Sequence, residues 1–111
     1  MPENTHTAEK MKAAELAEKL GSEDIVVVDV RSPDKYEAGH VPGAINIPLA
    51  KIKESVPDLP KEKLIVTYCG GGTSGPAARD ILSAHGYRAV VMEGMRAWQQ
   101  ANLPTAAGPN P

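Results

Sequence analysis

The chain holds one cysteine, Cys69, at the end of the apolar, β-rich run Leu64-Ile65-Val66-Thr67-Tyr68. Gly70-Gly71-Gly72-Thr73-Ser74-Gly75 follow, and a helical pattern opens at Pro76. This order places a thiol at the foot of a loop whose backbone N–H groups can turn inward. The helix N-terminus behind the loop adds partial positive charge. Such a setting suits a sulfur that carries negative charge, as a thiolate or a persulfide. A free thiol is only a few per cent ionised near neutral pH. A hydrogen bond to a charged group is worth roughly 1.5–3 kcal/mol, so two well-aimed amides suffice to make a thiol a competent nucleophile. Cys69 is therefore the candidate catalytic residue, and Gly70, Gly71, Gly72, Thr73, Ser74 and Gly75 are candidates to bind substrate.

No Lys, Arg or His lies between Gly70 and Gly75. Activation must come from amides, the helix end, the two hydroxyls or residues elsewhere in the chain. Glycine suits the task because it allows positive φ and close approach of backbone to a ligand. The bland alternative is that Cys69 is a small buried hydrophobe; the glycine-rich run argues against it. A Walker-type phosphate loop needs a Gly-Lys-Ser/Thr ending, and none occurs. One cysteine and three scattered histidines (His6, His40, His85) lack metal-ligand spacing. A metal site is therefore not expected.

These residues need elements to position them. Ala8 to Leu20 reads as a helix, with Met11, Ala14, Ala17 and Leu20 on one stripe, Thr7 as cap and Glu9 in the first turn. Ile25 to Val30 lacks alternation and reads as a strand buried on both faces. Ser32-Pro33-Asp34 starts a short helix, and Ala44 to Ile47 is a second brief strand. Further along, Leu49 to Val56 reads as helix, Leu64 to Tyr68 as strand, Pro76 to His85 as helix, Arg88 to Met92 as strand and Met95 to Ala101 as helix. Alternating strands and helices argue an α/β domain with a mostly parallel sheet. The expected division is a flexible start at residues 1–7, one domain over 8–104, and a small, proline-rich tail at 105–111 expected to be disordered.

In parallel sheets, sites form beyond the carboxyl ends of strands. Asp29-Val30-Arg31 is the other such end. Asp29 and Arg31 are candidates to orient the loop or meet the substrate; the structural reading, which we favour, is an internal salt bridge or turn hydrogen bond. His40 could shuttle protons, but a structural hydrogen bond is the preferred reading. Tyr68 points away from Cys69 by strand alternation and should pack in the core, as should Trp98. Thr73 and Ser74 either donate to the outer sulfur or cap the following helix. Arg79 reads as a solvated side chain.

Composition narrows the partners. The chain has 111 residues and a formal net charge of -2, without a Lys/Arg cluster, which suggests no nucleic-acid or membrane partner. The run Ile25 to Val28 is far too short to span a bilayer. No secretory signal is visible at the start, and a single cysteine fits a reduced, cytoplasmic setting.

Four segments together resemble a single-domain rhodanese: Val28-Asp29-Val30-Arg31 with Tyr36; Gly39-His40-Val41-Pro42-Gly43-Ala44-Ile45-Asn46-Ile47-Pro48; the Cys69 loop; and Glu93-Gly94-Met95-Arg96-Ala97-Trp98 with Leu103-Pro104. The resemblance covers roughly residues 25–104. It implies a rhodanese-like α/β fold, a five-stranded parallel sheet flanked by helices. It also implies a sulfurtransferase acting by ping-pong without an organic cofactor or metal, in which Cys69 takes sulfane sulfur from a small anionic donor, thiosulfate or mercaptopyruvate, as a persulfide. The persulfide then passes to cyanide or a thiol, a protein thiol included. A non-catalytic, regulatory module of the same family, binding a partner protein, is the alternative. Many small family members carry a basic residue where this chain has Ser74. The uncharged loop is closer to those of mercaptopyruvate-type members, which usually have two domains. Related phosphatases use a loop one residue longer, with an arginine at the place of Gly75, so phosphate-monoester chemistry is disfavoured.

Overall fold

A computed structural model describes residues 10–56 and 58–111. Five parallel strands form one sheet in the order β1-β5-β4-β2-β3, with β1 Lys10–Met11, β2 Ile25–Asp29, β3 Ile45–Asn46, β4 Leu64–Tyr68 and β5 Arg88–Met92. The helices are α1 Ala13–Lys19, α2 Pro33–Ala38, α3 Leu49–Glu54, α4 Ser74–Ala84 and α5 Met95–Gln100. The α/β class and the five-stranded parallel sheet agree with the reading of the sequence.

Alternation along the two central strands divides the core. Val27, Val66 and Tyr68 join Leu16 of α1, Tyr36 of α2 and Trp98 of α5 on one face. Val28, Ile65 and Cys69 join Ile52 of α3 and Ala78 and Leu82 of α4 on the other. Both faces of the inner strands are covered, which is why their sequences are continuously apolar. The same alternation puts Tyr68 and Cys69 on opposite faces, as expected.

Two segments differ from the sequence reading. The first helix begins at Ala13, because Lys10 and Met11 pair with Val91 and Met92 as an edge strand. Pairing against β5 satisfies backbone groups that a helix would have kept for itself, so tertiary context overrides the local pattern. Glu93 completes the exchange: its Oε1 accepts from the Ala13 N–H at 3.0 Å. The buried positions are then Ala13 and Leu16, while Ala14, assigned to the buried stripe, is exposed. Thr7 and Glu9, read as cap and first-turn acid, lie outside the described residues.

The second is the C-terminal segment. Ala106 pairs with His40 in an antiparallel bridge, and the Gly108 N–H donates to Glu37 O at 2.8 Å. Just before it, the indole N–H of the fully buried Trp98 donates to Pro104 O at 2.7 Å. Small, proline-rich composition therefore does not leave this stretch without contacts. Its backbone completes the hydrogen bonding of the Gly39–His40 turn.

Candidate active site

Beyond the carboxyl ends of β2 and β4 lies a cleft of about 550 Å³. Cys69 forms part of its lining, and its residue is 7% exposed. The thiol belongs to the α3–α4 face through its packing, yet it reaches the cleft.

Two glycines set the loop in place. A Cβ at Gly75 would lie 3.2 Å from Cys69 N and 3.3 Å from Tyr68 Cα, so a bare backbone lets the first turn of α4 press against the nucleophile. A Cβ at Gly94 would lie 2.8 Å from both Gly71 N and Gly71 Cα, and Gly94 has φ +123°. Gly94 thus carries the turn between β5 and α5 directly against the loop. From there the N–H groups of Met95 and Arg96 donate to Cys69 O at 2.8 Å and Gly70 O at 3.0 Å. The loop's first two carbonyls are engaged by α5. Thr67 Oγ1 donates to Gly75 O at 2.9 Å, fixing the loop's other end.

The donors are treated differently from the carbonyls. No N–H from Gly70 to Gly75 has a hydrogen-bond partner among the described residues. Helix α4 starts at Ser74, two residues before the expected Pro76, and the proline falls in the first turn where its missing N–H costs no helical bond. Thr73 is the N-cap residue but makes no side-chain cap hydrogen bond. Thr73 and Ser74 both line the cleft. The cleft is thus lined by loop residues with unpartnered amides, two hydroxyl-bearing residues and the start of a helix, a composition suited to negative charge.

The neighbouring strand end is built for itself. Asp29 is fully buried and does not line the cleft. Its Oδ1 accepts from the Arg31 N–H at 2.9 Å, and the Arg31 guanidinium reaches Oδ2 at 2.7 Å. Arg31 Nη2 also donates to Gly39 O at 2.7 Å. Burial works against the Arg31 charge, but the hydrogen bonds and the charge of Asp29 outweigh it and raise the guanidinium's pKa. The favoured salt-bridge reading describes Asp29, which has no surface to offer a substrate. Arg31 does both: it holds Asp29 and also lines the cleft.

His40 is fully buried and outside the cleft lining. Its ring stacks on Tyr36 at 3.8 Å, and its Nδ1 lies 2.8 Å from Tyr36 O. Its Nε2 is buried without a hydrogen-bond partner, and the ring's contacts lie within the fold, away from the cleft. Tyr68 is equally buried and accepts from the Val41 N–H at 3.0 Å; burial, together with the charge of Asp29, pushes its phenol pKa well up. Arg79, read as solvated, is partly covered and ties α4 to β5 through Ala89 O and to Asp80.

Sequence reading missed the cleft's other walls. Lys35 of α2 and Arg96 and Gln99 of α5 line it with Ser32 and Met95. The cations absent from the loop come from elsewhere in the chain. Arg96 falls within a segment that carries the resemblance, but nothing marked it or Lys35 for the site, since a lysine or arginine on a short helix is usually a solvated surface residue.

Comparison with known proteins agrees with this geometry. The family model described as the rhodanese-like domain matches residues 12–101. The HTH-type transcriptional regulator Rv0324 of Mycobacterium tuberculosis is 37% identical over 98 residues, 86% of this chain and 43% of that protein. Thiosulfate sulfurtransferase PspE of Escherichia coli is 45% identical over 67 residues, 57% of this chain and 62% of that protein. The chain thus spans less than two thirds of both relatives. Among solved structures, the BH2092 protein of Bacillus halodurans superposes with a TM-score of 0.83 at 31% identity, covering 95% of this chain and 81% of that one.

Proposed function

The chain belongs to the rhodanese-like domain family, and from that premise we propose that it is a sulfurtransferase working through a Cys69 persulfide. One observation carries this reading. Cys69 lines a cleft together with Gly70, Gly72, Thr73 and Ser74, whose amides have no partner among the described residues, while Gly71 and Gly75 do not line it. A buried structural cysteine needs no such surroundings.

In the first half-reaction the Cys69 thiolate attacks the outer sulfur of thiosulfate, or the thiol sulfur of a mercaptopyruvate-like compound, whose C–S bond then breaks so that the enolate leaves with the electron pair and takes up a proton. With thiosulfate, a new S–S bond forms at Sγ, the donor's own S–S bond breaks, and sulfite leaves with the electron pair. The terminal sulfur of the persulfide is then the atom that amides and hydroxyls of the loop can hold. In the second half-reaction, cyanide or a thiolate attacks that terminal sulfur and the Cys69 thiolate leaves. Similarity to the Escherichia coli thiosulfate sulfurtransferase supports the donor class.

Intact mass of the reduced chain, treated with thiosulfate or with mercaptopyruvate, tests the proposal. The expected result is a gain of one sulfur that cyanide removes. No gain with either donor would overturn it.

Similarity to a transcriptional regulator of which this chain spans 43% favours a second reading, a non-catalytic module that docks a partner protein. The same experiment separates the two, because a docking module has no need of a reversible persulfide.

A further inference from the structure

Thr67 lies in the middle strand of the sheet, fully buried, on the face of β4 that also carries Cys69. Its register partners are Val28 on β2 and Val91 on β5. Packing alone asks for a valine here, since a hydroxyl among such neighbours costs stability unless it is hydrogen-bonded. The hydroxyl is bonded: Oγ1 donates to Gly75 O at 2.9 Å. Gly75 is buried in the first turn of α4, where a Cβ would meet Val91 Cγ2 at 3.1 Å and Cys69 N at 3.2 Å. One hydroxyl thus ties the start of α4 down beside the residue that carries the thiol. The ties from α5 to Cys69 O and Gly70 O are made by backbone N–H groups. At the loop's far end the tie is a side chain.

We propose that Thr67 is a positioning residue for the chemistry at Cys69. Its hydroxyl, acting through Gly75 O, holds the first turn of α4 and the loop's amides where they meet the transferred sulfur. This rests on Cys69 as the reacting thiol of the proposed transferase. Thr67 itself touches no substrate, because it is fully buried and outside the cleft lining. Without the hydroxyl, the turn is held to β4 by packing alone. A small displacement of stabilising donors then lowers the rate, even in a chain that stays folded.

Two pairs of chains isolate the hydroxyl. The parent and Thr67→Val differ by a hydroxyl for a methyl, and Thr67→Ser and Thr67→Ala differ by the hydroxyl alone. In the reduced full chain, persulfide formation at saturating thiosulfate should slow about three- to tenfold in Thr67→Val and Thr67→Ala, with KM within about twofold of the parent. Thr67→Ser should keep the parental rate within about twofold, because it keeps the donor. Urea midpoints should rank the chains differently: Thr67→Val stays near the parent, while Thr67→Ser and Thr67→Ala fall with the lost methyl. Rate then follows the hydroxyl and stability follows the methyl. Rates that follow the methyl, or that are equal in all four chains, overturn the inference. If the valine variant does not fold, the serine and alanine pair decides. Alkylation of Cys69 by iodoacetamide needs no sulfur donor and should show the same order, slower in Thr67→Val and Thr67→Ala than in the parent and Thr67→Ser. A chain that gains no sulfur from any donor removes the transferase, and the alkylation order alone then upholds or overturns the role of Thr67. A chain that gains sulfur at rates indifferent to the hydroxyl keeps the transferase and removes the positioning residue.

Discussion

Two parallel strands end side by side, and they end in opposite ways. Beyond β2, most polar groups of Asp29 and Arg31 meet a partner in their own neighbourhood. Asp29 takes Arg31 in a fork, Arg31 adds Gly39 O, and Asn46 Nδ2 donates to both Asp29 O and Arg31 O at 3.0 Å. Beyond β4, the carbonyls of Cys69, Gly70, Thr73 and Gly75 are engaged, but the amides from Gly70 to Gly75 are left over. A polar network closed on itself contributes specificity and rigidity. One left open at a concave surface is a place for something else to bind. Both segments look chemical in the sequence; hydrogen-bond satisfaction separates them.

The comparison breaks most cleanly at Cys69. Cys69→Ser should reduce sulfur transfer to background, because a hydroxyl is a far poorer nucleophile near neutral pH. Its circular dichroism should match the parent's. Turnover retained in this variant would mean that the open strand end is not the reacting one.

Asp29→Ala tests the closed end and should show the reverse pattern. It leaves the Arg31 guanidinium, with a side chain 13% exposed, without its carboxylate. Breaking a buried pair in this way costs about 3–5 kcal/mol; the residual exposure of Arg31 puts the expectation at about 2–4 kcal/mol. The urea midpoint should fall accordingly, while persulfide formation per folded molecule in native buffer changes little. A stable variant with lost activity would move Asp29 from scaffold to chemistry.

Gly94→Ala sits between the two ends, because it acts on the loop through packing. The new Cβ would meet Gly71 N and Gly71 Cα at 2.8 Å, both backbone atoms that cannot swing aside. Strain at a positive φ adds a cost of order 1–3 kcal/mol. We expect a modest loss of stability with a drop of about tenfold in the rate of persulfide formation, since small displacements of a reacting site cost this much or more. Gly71→Ala has nothing within 4 Å of the added atom, so it carries backbone strain without the collision. Equal rates in the two variants would show that the Gly94 contact does not place the loop.

The legibility of these regions followed the range of the forces involved. Strands β4 and β5 were readable to the residue, because an apolar run bounded by turn residues is a local signal. The Cys69 loop was readable because glycines and a lone thiol are themselves unusual. The edge strand at Lys10–Met11 was not, since it exists only through pairing with Val91 and Met92. The same holds for the bridge between Ala106 and His40, whose strand-like geometry depends on a partner 66 positions away. Lys35 and Arg96 were missed for a related reason. Their place beside Cys69 is a product of the fold, and sequence separation hid it. Asp29 and Arg31 were read first as a structural pair, and they answer each other; what the sequence did not show is that Arg31 also lines the cleft.

Ser74→Arg sharpens the account of charge at the open end and should have the smallest effect. Read from the loop alone, an arginine here would supply the missing cation. A charge-assisted hydrogen bond to a donor anion is then worth roughly 1.5–3 kcal/mol. The cleft, however, already holds Arg31, Lys35 and Arg96, and it is open to solvent that screens a further charge. A fourth cation also repels the other three. The increment should therefore be about two- to threefold in kcat/KM for thiosulfate, the magnitude of one screened unit charge near a reacting anion. Thiosulfate carries two negative charges and mercaptopyruvate brings one carboxylate, so the ratio of the two donors should shift toward thiosulfate. Measuring both donors at two ionic strengths checks this, and the shift should diminish as salt is added. A gain of tenfold or more would mean that Lys35 and Arg96 contribute little field at Cys69. An unchanged or reversed ratio, with the fold intact, would mean that charge inside the loop does not govern donor choice and that the surrounding rim already sets it.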